Sequence, residues 1–380
     1  MNSHEHTHEH GPSTGRVALL TRRRFLGRSA LGVGFSVATT PAVDSLVASL
    51  TSPAAVAHAS TKLTVGDPGP PVPPFAPVPP IAQGPAIPST GYLVEQLGRG
   101  LYWIIDGSYQ MVFLVSNEGV IVVDAPPTLG HNILRAIREV TDQPITHVVY
   151  SHAHADHIGA AALYPANAMR IAHQETARLL EEVNDPNRPP PTQVFHKHFT
   201  LHVGDQILEL DYKGPNHQPG NLFIYAPQQR LLMLVDVIFP GWVPFKELAQ
   251  SADIPSWIQS HEQALAYPFQ TYIGGHLTRL GNRQDVRLQQ AYVQDLKANA
   301  QAALAGFDPT PIFQQYGTQN PWVVFKVYLD NVAQIAAEAT LVKWQGQLGG
   351  VDVFTFDNAA KMTESLRIDF GILGPFGIRP

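Results

Sequence analysis

YSHAHADHIGAA, residues 150–161, places His152, His154, Asp156 and His157 within six positions. The stretch before it, ITHVVY (Ile145–Tyr150), reads as a short buried strand, so the histidine run begins where that strand ends. In an extended segment residues two apart point the same way, so His152 and His154 face one metal ion. Asp156 and His157 follow as the chain turns into a helix, and they reach toward a second ion. Two ions about 3.5–4 Å apart form an arrangement that clamps an attacking hydroxide. Such a site needs further ligands, and later positions offer them. His217 sits in the loop GPNHQPGNL, Asp236 ends the strand LLMLVD, and His276 ends the strand TYIGGH. All of these fall at strand ends or in adjoining loops, where sites on helix-covered sheets gather. Singly each reads as a satisfied structural polar residue; as an ordered set they read as a metal centre.

Other histidines lack this support. HEHTHEH (His4–His10) precedes a leader and should leave with it. FHKHF (Phe195–Phe199) alternates like a strand with no acidic residue in metal-binding register, so His196 and His198 read as surface or substrate-side residues.

The chain has no cysteine, which rules out disulfides, zinc thiolates and cysteine nucleophiles and leaves imidazole and carboxylate to hold any metal. Charged residues make up 15% of the chain, against roughly 25% in an average soluble protein. A net charge of -6 and the lack of a Lys/Arg stripe give no footprint for nucleic acid.

Residues 1–59 read as an export signal: TRRRFLGRSALGVGFSV sets Arg22, Arg23 and Arg24 before a weakly apolar run, and AHA (Ala57–Ala59) offers a cleavage site. The expected partner is the twin-arginine export machinery, which moves folded proteins, and the expected destination is the periplasm or the medium. Residues 60–91 are proline-rich and read as an extended tether.

From Tyr92 short apolar runs alternate with helical periodicity. Met111–Val115 and Val120–Ala125 flank a turn at Asn117–Gly119, which predicts a hairpin, and Ile133, Leu134, Ile137 and Val140 share one helical face. Strands at RIAH, QILELDY, NLFIYAP and LLMLVDV interleave with helices near Glu175–Val183 and Pro255–Ala266. This is an α/β pattern of sheets covered by helices. The organisation read from it is a catalytic domain at 92–282 and a mostly helical extension at 283–380.

Taken together, the VIVVDAPP strand with Asp124, the H-x-H-x-D-H segment, the glycine-flanked His217, the late Asp236 and the final His276 resemble the metallo-β-lactamase superfamily over roughly residues 92–282. The resemblance implies the αββα sandwich, two packed sheets between helical layers. It implies that His152, His154 and His217 hold a first zinc ion, that Asp156, His157 and His276 hold a second, and that Asp236 bridges them. Asp124 then resembles a structural aspartate bracing the metal loops. Zinc is expected from the nitrogen-rich set, with manganese or iron as alternatives.

The chemistry so implied is hydrolysis by a metal-bridging hydroxide that attacks a carbonyl, with Asp156 orienting it and passing its proton to the leaving group. An aspartate at position 236 resembles lactonases and thioesterases, whereas β-lactamases with this loop pattern carry cysteine there or no bridging residue. An ester or lactone is therefore the leading small-molecule substrate. The segment GPNHQPGNLFIYAPQQRLL and the export signal keep β-lactam hydrolysis as the alternative, and a metal-binding protein without turnover is the alternative of another class. Trp103 and Tyr109, from a hairpin expected over the site, and Phe239, Trp242 and Phe245, just beyond Asp236, are the candidate pocket residues. The tail beyond residue 281 is too apolar to dangle; capping the site and forming a homodimer are its two candidate uses.

Overall fold

A computed structural model describes residues 75–277 and 279–376. The expected leader, its histidines and arginines, and residues 60–74 of the proline-rich segment lie outside the described residues.

The first sheet has seven strands in chain order. They are β1 (Leu93–Gly98), β2 (Leu101–Ile105), β3 (Gln110–Ser116), β4 (Gly119–Val123), β5 (Ile145–Val149), β6 (Met169–His173) and β7 (Gln193–Phe195). β1 to β4 form antiparallel hairpins, whereas β4 to β7 run parallel because helices cross between them. Ser116 pairs with Gly119, whose positive φ closes the tight turn at Asn117–Glu118. The second sheet runs β12–β11–β10–β9–β8, from β8 (His198–Val203), β9 (Gln206–Asp211), β10 (Phe223–Ala226), β11 (Leu231–Met233) and β12 (Thr271–Ile273).

Period-two alternation sends side chains to two separate cores. Leu101, Trp103, Ile105, Val112, Leu114, Ile121 and Val123 meet Leu201, Leu208, Leu210 and Ile224 between the sheets. The opposite faces, Ile104, Met111, Phe113, Val120 and Val122, pack under α1 (Asn132–Val140), α2 (Ala155–Ile158) and α3 (Gln174–Val183). Being covered on both faces, these strands are apolar throughout rather than half polar.

The outer face of the second sheet carries α4 (Ile254–Leu265), α5 (Arg283–Gly306), α6 (Thr310–Tyr316), α7 (Pro321–Trp344) and α8 (Val351–Ile368). Asp253 caps α4, Asn282 and Asp285 form a capping box on α5, and Asn320 caps α7 ahead of Pro321. Phe223, Leu232 and Trp257 share a single core with Tyr292, Tyr328, Trp344 and Met362. The helical extension thus completes the covering of the second sheet, and the layers are those of an αββα sandwich.

Residues 75–91 do more than the expected tether. Pro80–Ala82 forms one 3-10 turn, and the strap is bonded down at several points. Ile81 O accepts from Arg279 Nε at 2.6 Å, Ala82 O from the Trp242 indole at 3.0 Å, and Ala76 N donates to Asp352 at 2.5 Å.

Candidate metal centre

The histidine run leaves β5 at Tyr150 and is pinned by a buried acid from the neighbouring strand. Asp124, just past β4 and fully buried, takes φ +66 and accepts from Ser151 N at 2.7 Å. Burial pushes its carboxyl up to about 6, with His157 and the Ser151 N–H pulling it back. Around it, Ala125 N bonds His157 O and the Tyr164 hydroxyl donates to Asp124 O, so strand end and histidine loop move as one. His154 then stands at the cap of α2, which carries Asp156 and His157.

His217 arrives on the loop between β9 and β10. Asn216 Oδ1 accepts from His217 N at 2.6 Å and from Asn221 Nδ2 at 2.8 Å, and the same Asn221 amide donates to Val235 O at 2.9 Å. That buried asparagine pair ties the His217 loop to the segment bearing Asp236. Asp236 does not end its strand as expected: β11 stops at Met233, and Asp236 sits beyond it with φ +63. Leu234 N and Asp236 N still bond Ile273 O and Gly274 O at 3.1 Å, and the left-handed turn at Asp236 breaks regular pairing and aims the carboxylate. His276 likewise lies past β12, in an isolated antiparallel bridge with Tyr109.

These side chains converge. His152 Nε2 and His217 Nε2 lie 3.5 and 3.1 Å from Asp236 Oδ2, and His217 Nε2 is 2.9 Å from His154 Nδ1. His157 Nε2 is 3.1 Å from Asp236 Oδ2, and His276 Nε2 is 2.9 Å from Asp236 Oδ1. The two imidazole nitrogens approach each other to 3.0 Å, with Asp156 Oδ2 3.5 and 3.6 Å away. Two groups result, His152–His154–His217–Asp236 and Asp156–His157–His276, with Asp236 placed between them.

The donor set fits metal ions. His152 Nε2 is buried without a hydrogen bond, a costly state for an imidazole unless a metal takes the lone pair. Burial and the neighbouring histidines hold His152 well below the usual imidazole range, and His154 is lowered to about 4, so both present neutral nitrogen donors. Burial opposes ionisation of Asp236, but His157, His217 and His276 outweigh it and hold the carboxyl well below its ordinary value. His157 is the counterpart: burial lowers it, and Asp236 and Asp156 overcome that to raise it to about 9. A bound cation would take over the role of that proton.

A cavity of about 640 Å3 opens directly on these groups, lined among others by Tyr109, Asp156, Phe239, Trp242, Phe245 and Phe354. Tyr109, Phe239, Trp242 and Phe245 are therefore at the site. Trp103 is not. Its alternation with Leu101 and Ile105 turns it into the core between the sheets, where its indole donates to Gln110 Oε1 at 3.2 Å. His196 and Lys197 fall between β7 and β8, and exposed His198 pairs with Asp211 at 2.7 Å, away from the cavity.

Several residues that hold the site were not anticipated. Gln110 is fully buried, and its Nε2 donates to the carbonyls of His276, Leu277 and Arg279 at 2.8, 2.9 and 3.2 Å. Its signal was a lone amide opening an apolar strand. Phe354, from the helical extension, had no local signal at all.

Residues 105–276 match the family model described as the metallo-beta-lactamase superfamily, and this domain has that superfamily's fold. The chain is similar to the 2,4-dinitroanisole O-demethylase subunit alpha of Nocardioides sp. (strain JS1661), 29% identical over 49% of this chain and 58% of that protein. It is similar to the probable metallo-hydrolase YqgX of Bacillus subtilis (strain 168), 26% identical over 47% of this chain and 87% of that protein. It is also similar to a type 2 metallo-beta-lactamase of Bacillus cereus, 25% identical over 31% of this chain and 46% of that protein. The chain thus spans only about half the length of two of these relatives.

Proposed function

We propose that the protein is a dinuclear metallo-hydrolase, with zinc as the expected metal, that cleaves a neutral or weakly charged ester or lactone. The observation that carries this is the placement of Asp236 between two histidine groups at the floor of an apolar cavity. Two bound ions would acidify a water and polarise the carbonyl under attack. The chain's own groups do the rest. Tyr109, whose hydroxyl burial and Asp156 keep protonated, donates to Asp156 Oδ2 at 3.2 Å and so orients that carboxylate toward the cavity. Asp156, with a side chain 44% exposed, is the acid–base group that carries the attacking water's proton to the leaving oxygen. The aromatic wall excludes bulk water from the reacting carbonyl.

Two observations widen the panel to be assayed. The match to the Bacillus cereus metallo-beta-lactamase supports β-lactam hydrolysis as the second reading. The relative named for O-demethylation of 2,4-dinitroanisole adds an activated aryl ether. Export through the twin-arginine machinery to the periplasm or medium belongs to the same proposal, supported by the arginines at 22–24 and the AHA at 57–59. A homodimer through the helical extension is a proposal that sedimentation would settle.

The test is the initial rate of the zinc-loaded protein on matched lactones, esters, a dinitrophenyl ether and a cephalosporin, with a chelated control. Chelator-sensitive turnover favouring esters or lactones is expected. Turnover favouring the cephalosporin by orders of magnitude would replace this reading with the second, and no turnover on any would favour a metal-binding protein.

A further inference from the structure

The cavity has a chemistry of its own beyond the metal ligands. None of its described lining residues is a lysine or arginine, and its carboxylates, Asp156 and Asp236, stand at the metal end. The wall is aromatic from that end outward: the rings of Tyr109, Phe245 and Phe239 lie 4.6, 5.7 and 6.2 Å from the His276 ring. Trp242 and Phe354 continue it.

These rings are set in place before any substrate arrives. Val243 N bonds Gly349 O at 3.0 Å and Gly349 N bonds Gly241 O at 2.9 Å, so the loop carrying Trp242 is laced to the turn that opens α8. A Cβ on Gly349 would stand 2.5 Å from the Trp242 ring, so only glycine permits that approach. Two turns into α8, Asn358 clamps the far side: Leu248 N donates to its Oδ1 at 2.7 Å and its Nδ2 donates to Pro244 O at 2.8 Å. Around the Leu248 anchor Glu247, Leu248, Ala249 and Gln250 all have φ between +52 and +61, a left-handed turn that L-residues avoid. Strain of that kind persists where surrounding contacts over-determine it, and here it holds Phe245 against His276.

We propose that this pocket is an aryl site, with α8 of the helical extension as the specificity element. Resting on the metallo-hydrolase reading, the substrate is a neutral ester whose aromatic ring lies against Trp242, Phe245 and Phe354 while its carbonyl sits at the metal end. Hydrolysis forms one bond from a water oxygen to the acyl carbon and breaks the acyl–oxygen bond. The alcohol leaves with one proton of that water, the other passes to solvent, and the acid is released as a carboxylate. A second, remote carboxylate on the substrate meets ring faces, which carry negative charge density, and finds no cation.

The test uses three esters with the same reacting centre and leaving group: methyl phenylacetate, methyl cyclohexylacetate and methyl 4-carboxyphenylacetate. The expected kcat/KM is several-fold higher for phenyl than for cyclohexyl, and at least tenfold lower for the carboxylated ester than for phenyl. Phe354→Leu, which keeps apolar bulk but removes the ring, should erode the phenyl preference chiefly through KM; Gly349→Ala is the second variant, acting on Trp242. Titration calorimetry of 2-phenylethanol against 2-cyclohexylethanol on the chelated protein reads the same preference without turnover. Tighter phenylethanol binding that weakens in Phe354→Leu supports the aryl site even if no ester is hydrolysed, in which case only the ester-hydrolase reading falls. Equal binding of the two alcohols, or equal turnover of all three esters, overturns the aryl site while leaving the hydrolase reading intact.

Discussion

Replacing Gln110 with methionine should weaken one metal site and leave the other nearly untouched. The side chain is fully buried, and its amide NH2 serves the His276 segment: two hydrogens are shared among three carbonyls, while Oε1 accepts from Trp103. Methionine keeps the length and loses every bond. Leaving a buried group unpaired costs about 1–3 kcal/mol, so three carbonyls and one indole N–H set a ceiling of roughly 4–12 kcal/mol. The loss stays far below that ceiling, because the segment can relax. Leu277 already sits at φ +67, and moving residues 276–279 toward water is cheaper than unfolding a two-sheet domain. Relaxation carries His276 away from Asp236 and Asp156. Groups that orient a metal ligand through hydrogen bonds are typically worth 10–100-fold in metal affinity, or about 1.4–2.8 kcal/mol. A competitive chelator titration that resolves two zinc equivalents should show the second weakened by that factor. The equivalent held by His152, His154 and His217 should stay within about twofold. Trp103→Phe, which removes only the indole N–H, should give a smaller shift in the same direction. A folded Gln110→Met protein with an unchanged second equivalent, or one in which both weaken alike, would refute the reasoning.

Other perturbations separate the remaining roles. Asp156→Asn should lower kcat by about 10²–10⁴-fold, the usual range for a positioned acid–base group; full activity at full metal content would remove the relay role. Gly349→Ala should push the Trp242 ring off its seat and break its 3.0 Å bond to Ala82 O, raising KM for aryl esters several-fold at unchanged zinc content; unaltered KM would take Trp242 out of the pocket. His261, fully buried against Gln289, has its pKa lowered to about 4 by burial. A depressed folded value gives stability that is complete above the unfolded pKa of about 6.5 and lost as pH falls through it toward 4. Unfolding free energy should therefore drop by about 3 kcal/mol over that window, and His261→Gln should flatten the slope in denaturant titrations at several pH values.

The residues that converge at the candidate metal centre were legible because much of their spacing is local. Four of them fall in one strand-to-helix turn, Asp236 and His276 follow short apolar runs, and His217 sits in a loop punctuated by glycine and proline. The ends of those runs were not legible. LLMLVD reads as one strand, yet the ladder stops at Met233, since Asp236 must turn left-handed to aim its carboxylate. Trp103 shows a signal present but misweighed: Leu101, Trp103 and Ile105 alternate on one face and so belong together in the inter-sheet core. Phe354 and Asn358 lay beyond any such reasoning. They sit on a helix with buried residues spread over Val351, Thr355, Asn358, Ala359 and Met362, and nothing in that pattern names the loop they touch.

Neutral amides recur where the backbone at this site is strained or must be tied across elements, the acid Asp124 under the histidine run being the exception. Gln110 holds the turn at Leu277; Asn216 and Asn221 join the His217 loop to the strand end before Asp236; Asn358 clamps the left-handed turn over Glu247–Gln250. Gln289 of α5 does the same just past Asp236, donating to Val237 O at 2.7 Å and accepting from Phe239 N at 2.8 Å. The choice has a physical basis. Beside two carboxylates and bound cations, a charged brace would shift the affinity of the ligands it was meant to hold. An amide offers both a donor and an acceptor to loop backbone without altering that balance. Two of these braces, Gln289 and Asn358, come from α5 and α8. The helical extension therefore acts on the candidate metal centre as well as on the pocket, and its removal should disorder the aromatic loop before it unfolds the sheets.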